Sequence, residues 1–179
     1  MDSSLVSICR YRVNANDDLV WVGASWSDFA QENNAPHLSA ESVLGRSLWE
    51  FVVGEPTRRL YQALHAHVRS TGTPAVLPVR CDSSTHRRDL QLTISAQAAG
   101  QLLYESVPVR DKLRGRIVCI DPGERPTDAL LTVCSCCQLA MSSPNRWIEL
   151  DRATAHLGLS VGQAPPRLQY VVCPQCADA

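Results

Sequence analysis

Apolar and polar positions along this chain recur with periods that mark out a series of short elements. Residues 6–22, VSICRYRVNANDDLVWV, hold two runs rich in Val, Ile, Tyr and Trp on either side of Asn14–Asp18. Asn and Asp side chains favour turns by bonding to nearby backbone, so the stretch predicts a β-hairpin. In SWSDFAQEN, Ser25 and Asp28 have capping-box spacing for a short helix, and one or two more short helices are predicted within residues 39–51, SAESVLGRSLWEF. After Gly54, Leu60, Tyr61, Leu64 and Val68 form one stripe; Glu55 and Pro56 suit a first turn and Gly72 a stop, which predicts a longer helix packed on a sheet. Three strands are then predicted: PAVLPVRC, RRDLQLTISAQ and QLLYESVPV. In the second, Leu90, Leu92, Ile94 and Ala96 alternate with Asp89, Gln91, Thr93 and Ser95. Further on, Trp147, Leu150, Thr154 and Leu157 share one side of a predicted helix.

The order is two strands, short helices, one longer helix and three strands. It predicts an α+β fold: a five-stranded antiparallel sheet with one wet face and helices on one face. Residues 110–131 combine charge with Pro122, Gly123 and Pro126 and read as a connector holding one short strand, RIVCI. The expected organisation is therefore residues 1–109, a connector at 110–131, and a small module at 132–179. A length of 179 residues suits one ordinary domain and an appendage.

Composition narrows the compartment. The chain is 45% hydrophobic and 20% charged, as soluble globular proteins are, and no run reaches the roughly 18 apolar residues of a membrane span. MDSSLVSICRYRV has neither the basic nor the apolar region of an export signal, so a cytoplasmic location is expected. In a reducing compartment eight cysteines point to metal or redox chemistry rather than to a disulfide framework. A net charge of −1 argues against a globally basic nucleic-acid binder.

The cysteines have a pattern. Cys134 and Cys137 form one Cys-x-x-Cys pair, Cys173 and Cys176 another, with 35 residues between them. Two such knuckles bring four thiolates onto one ion, and zinc is the usual occupant of a closed four-cysteine site. One structural zinc per chain is expected. Cys136, inside the first pair, is expected to wedge against the core of the module, although it could also replace a neighbour as ligand or serve as an oxidisable thiol. Cys9, Cys81 and Cys119 fall in predicted strands, where a free cysteine behaves as a small hydrophobe.

Several of these words carry a resemblance. A strand entering NANDDLVWV, then GRSLWEFV, then TRRLY in the long helix, then RCDSS followed by paired arginines, is similar to a bacterial PAS family whose members also end in a cysteine pair, a Trp-containing segment and Cys-Pro-x-Cys. Residues 5–109 resemble the PAS domain itself. Family tails read Ser-His-Gly-Ile before Cys-Pro-x-Cys; this chain reads Gln169-Tyr170-Val171-Val172. The resemblance implies a non-catalytic sensor or signal-relay protein that engages a signalling partner, with homodimerisation and a small-molecule ligand both compatible with it. If the family's pocket is used, Trp49, Tyr61, Leu64, His65 and His67 are the candidates to line it, the two histidines flanking the stripe of the long helix. An axial haem ligand must point into the pocket, and edge histidines argue against haem. The helical cysteine motif of flavin photosensors is absent from the sequence.

Two other readings stay open. Arg110, Lys112, Arg114 and Arg116 alternate along the connector, and His86, Arg87 and Arg88 form a second basic group, as a nucleic-acid-binding zinc protein that grips phosphate through its connector would require, but no aromatic residue interleaves the connector run. A redox sensor or thiol oxidoreductase is the other, although neither pair sits after a strand at the start of a helix in the predicted layout, and CPQC leaves no room for one. Phosphate-loop, dinucleotide, zinc-protease and serine-hydrolase motifs are all missing, so no enzyme is expected.

Overall fold

The computed structural model describes residues 9–32, 35–83, 85–115, 117, 126–158 and 164–177. Strands β1 (Cys9–Val13), β2 (Leu19–Val22), β3 (Ala75–Arg80), β4 (His86–Ala96) and β5 (Leu102–Leu113) form a five-stranded antiparallel sheet in the order β2-β1-β5-β4-β3. Between the hairpin and the last three strands lie helices α1 (Trp26–Glu32), α2 (Ala40–Val43) and α3 (Glu55–Thr71), with a 3-10 turn at Leu48–Glu50. A second, four-stranded sheet, β8-β7-β6-β9, is built from β6 (Thr127–Cys134), β7 (Ala140–Ser143), β8 (Arg146–Ile148) and β9 (Pro166–Val171), with α4 (Leu150–His156) and the single turn α5 (Pro174–Ala177).

The chain divides into two compact units. One comprises Met1–Val53, Arg58–Pro78 and Leu90–Val109; the other comprises Gly54–Thr57, Val79–Asp89 and Arg110–Ala179. In the first, the hairpin forms where Asn14–Asp18 predicts it: the Asn14 side chain accepts from the backbone N–H groups of Asn16 and Asp18, and Asp17 adopts φ 66°. Strand β1 pairs β5 in register, Tyr11 opposite Tyr104 and Val13 opposite Leu102. The alternation in β4 is realised, with Leu90, Leu92 and Ile94 buried and Gln91 exposed; Ala96, at the strand end, is exposed instead. Helix α3 ends at Gly72, whose φ of 70° lets its N–H reach back to the Val68 carbonyl. Its fully buried positions are Thr57, His65 and Val68, while Leu60, Tyr61 and Leu64 are half-buried, so the buried stripe includes a histidine that apolar periodicity left at the edge.

The second unit has its own small core: Ile117, Leu131, Val133, Ala140, Leu150 and Ala153, with Ile148, Leu168 and Tyr170 against it. Here three expectations are corrected. The helix predicted from Trp147 begins at Leu150, because Pro144 and Asn145, the latter at φ 62°, turn the chain and set Trp147 opposite Met141 in a hairpin. Leu157 follows the helix and is exposed. CPQC does accommodate a helical turn, α5. Strand β5 continues through Leu113, and Cys81 lies just beyond the end of β3. The predicted strand RIVCI, with Arg116 and Cys119, lies outside the described residues except for Ile117. Among the described residues no helix is long and apolar enough to cross a membrane.

Candidate metal centre

The parallel pairing of β6 with β9 builds the site. Cys134, the last residue of β6, lies opposite Val171, the last of β9, so Cys173 emerges beside Cys134 two residues later. A turn, Ser135–Cys137, then leads into β7. It is closed by the Gln138 N–H donating to the Cys134 carbonyl and the Cys134 N–H to the Leu139 carbonyl. Gln138 pays for the tightness with a left-handed φ of 56°. On the other side Cys173 opens α5, its carbonyl accepting from the N–H groups of Cys176 and Ala177.

The four predicted ligands converge. The sulfurs of Cys134, Cys137, Cys173 and Cys176 all lie within 4.8 Å of one another, and Cys137 Sγ is 3.8 Å from Cys173 Sγ. Four thiolates about 2.3 Å from one ion would stand about 3.8 Å apart at tetrahedral angles, so the donor set fits a metal ion without rearrangement of the backbone. The Cys173 N–H donates to Cys134 Sγ at 3.3 Å, the amide-to-sulfur bond expected of a knuckle. Cys134 and Cys173 are completely buried; Cys137 and Cys176 are half-buried.

Hydrogen bonding lowers the pKa of the Cys134 thiol below that of an ordinary cysteine: Cys136 and then Cys137 donate to it, with backbone N–H groups adding to the effect. The same bonds push Cys136 and Cys137 up, and burial pushes Cys176 up to about 12. Binding of a metal ion by the four sulfurs would displace their protons. Cys136 is a buried fifth thiol, 8% exposed, outside the four-sulfur set. All seven described cysteines are free of disulfides.

Two links fasten the first knuckle. Ser135 donates its N–H to the Val171 carbonyl and accepts from the Thr57 hydroxyl at 2.7 Å; the Cys136 carbonyl accepts from the Arg80 N–H at 2.7 Å. Arg80 also anchors an ion-pair network that sequence reading missed. Its guanidinium is paired with Asp82, whose side chain is wholly buried, and donates to Glu149 at 3.0 Å. Arg87 reaches Glu149 at 2.8 Å and Arg114 reaches Asp82 at 3.0 Å. These partners are 2 to 69 residues apart, so no local pattern exposes them.

The basic groups are thus largely committed. Arg114 pairs with Asp82, Arg87 with Glu149 and Arg88 with Asp111, while Arg110 and Lys112 are exposed on β5. Of the pocket candidates, in the first unit, His67 is exposed and Leu64 half-buried, while the Trp49 ring lies 5.2 Å from that of His65 and the Tyr61 ring 6.4 Å from that of Tyr104. Both nitrogens of His65 are occupied, Nδ1 by Asp17 and Nε2 by the Tyr104 hydroxyl, which leaves neither for an axial metal bond in this arrangement. No protein-family model matches the chain, and no curated protein is significantly similar to it.

Proposed function

We propose that this chain is a non-catalytic sensor or signal-relay protein in which a PAS-like unit is joined to a module held by one structural zinc ion, the module presenting a surface to a partner protein. Two features support the reading: the sheet order β2-β1-β5-β4-β3 with helices inserted between hairpin and final strands, and the four-sulfur cluster that closes the second unit. The cluster carries it. Four thiolates saturate a tetrahedral zinc and leave no position for substrate, so the metal's task is to fix the knuckles and the short sheet between them. Zinc fits better than iron because nothing in the reading calls for electron transfer. The site's residues act by holding: Cys134, Cys137 and Cys176 through their sulfurs, Cys173 through its N–H as well as its sulfur, and Ser135 and Arg80 by fixing the knuckle backbone.

Native mass spectrometry of freshly purified protein tests this in one spectrum. One zinc per chain and no other added mass is the expected result. A metal-free chain lighter by the hydrogens of one or two disulfides would overturn it in favour of thiol redox chemistry. That second reading has specific support: Cys173 and Cys176 follow strand β9 at the start of a helical turn, and Cys136 supplies a spare thiol.

A further inference from the structure

In the first unit a chain of titratable side chains is buried. His65 is 2% exposed and Tyr104 1%. Asp17 Oδ1 lies 2.7 Å from His65 Nδ1 and 2.6 Å from Arg69, which also donates to the Asn14 carbonyl. A carboxylate can only accept, so Nδ1 carries the proton, Nε2 of the neutral ring is an acceptor, and the Tyr104 hydroxyl donates to it. One imidazole therefore joins three segments: the β1–β2 turn through Asp17, α3 through its own backbone, and β5 through Tyr104. Tyr11 of β1 stacks on Tyr104 with ring centroids 4.4 Å apart, and Tyr11 meets Trp26 edge-on at 5.8 Å.

We propose that His65 is a proton-operated latch: on acidification its Nε2 changes from acceptor to donor, the Tyr104 hydroxyl loses the acceptor it donates to, and the imidazolium moves with Asp17 toward water, loosening α3 from β5. The inference goes beyond the reading above and stands whether or not the second unit holds zinc. The groups facing His65 define the outcome. Asp17, 15% exposed, attracts the charged ring and is its route to solvent; Arg69, on α3, repels it. Tyr104, from β5, has its phenol pKa driven far up, chiefly by burial, and supplies no compensating charge. Trp49 packs without charge; Asp18 is turned to the Asn14 amide and Glu50 to Arg46. Tyr61, also on α3, stacks toward Tyr104 with ring centroids 6.4 Å apart and helps to raise the Tyr104 phenol.

The balance favours the neutral ring. Burial lowers the His65 pKa below 6.5, and Asp17 offsets this only in part. Because the unfolded chain binds the proton first, the stabilisation is complete above the unfolded pKa and is lost as pH falls through the folded one. His65 is thus set to charge at a lower pH than an ordinary histidine.

The test follows the full-length protein from about pH 8 to about pH 4, a range that extends well below an ordinary histidine pKa, and a His65 that stays neutral throughout it overturns the latch. It combines NMR of isotope-labelled histidine, near-ultraviolet circular dichroism of the Tyr11–Tyr104–Trp26 cluster, and zinc content at each pH. The expected result is an aromatic transition coincident with His65 titration, with far-ultraviolet signal retained, and its loss in His65→Gln. Tyr104→Phe removes a donor that favours the neutral ring, so the His65 midpoint should rise. An aromatic transition that persists in His65→Gln or tracks metal loss overturns the latch. So does a His65 that titrates in wild-type protein without an aromatic change, or one whose midpoint is unmoved by Tyr104→Phe, readings that remain available should His65→Gln fail to fold.

Discussion

Replacing Cys173 by serine separates the metal reading from every other account of the cluster. Cys173 is completely buried, its sulfur is 3.8 Å from that of Cys137, and its N–H donates to Cys134 Sγ. Cys173→Ser keeps the backbone donor and removes one thiolate of four. Structural zinc binds with about 10–16 kcal/mol at neutral pH, so an equal share per ligand is about 2.5–4 kcal/mol, or two to three orders of magnitude in affinity. A buried hydroxyl without a partner adds about 1–3 kcal/mol of destabilisation even in the metal-free protein. Competition with a chromophoric chelator measures the affinity, and elemental analysis measures the stoichiometry. Cys136→Ala is the control: its sulfur is outside the set, and it should keep one zinc at wild-type affinity. Undiminished zinc binding by Cys173→Ser, or loss of zinc from Cys136→Ala instead, would refute the ligand assignment.

Three further outcomes are expected. Leu150→Ala removes a fully buried side chain from the six-residue core of the second unit and should cost about 2–5 kcal/mol in denaturant unfolding of that unit. Asp82→Asn leaves the buried Arg80 guanidinium without its closest carboxylate and should cost about 3–5 kcal/mol, whereas Glu50→Gln at the exposed Arg46 pair should cost much less; similar losses from both would contradict the burial argument. Gln138→Gly should raise the thermal midpoint by relieving about 1 kcal/mol of left-handed backbone strain, and no gain would mean that the Gln138 side chain compensates.

The elements that were legible in the sequence are those long enough to display a period. Leu90, Leu92 and Ile94 repeat every second residue, and α3 has both its Pro-containing start and its glycine stop. The hairpin β7–β8 fails that condition: four and three residues cannot establish an alternation, and the apolar Trp147, Ile148 and Leu150 mimic a helical face across the strand end. The four-thiol cluster was readable because a knuckle fixes its own spacing. His65 was not, since its burial depends on Asp17, 48 residues away, and on Tyr104, 39 residues away, and periodicity scores a histidine as a boundary. Arg80 was hidden for the same reason, its partner Glu149 lying 69 residues on.

The parallel pairing of β6 and β9 also has a kinetic side. Parallel neighbours cannot be joined by a tight turn, and the two cysteine pairs enclose 35 residues whose ends must meet before the four-sulfur set is complete. Closing a loop of that length costs about 3 kcal/mol of chain entropy, which the local β6–β7–β8 meander does not incur. The meander should therefore assemble first and β9 last, and in a zinc-bound protein an ion first bound by Cys134 and Cys137 would capture the late strand through Cys173 and Cys176. Stripping the metal would then let β9 part from the sheet before any other strand, and refolding would wait on its return.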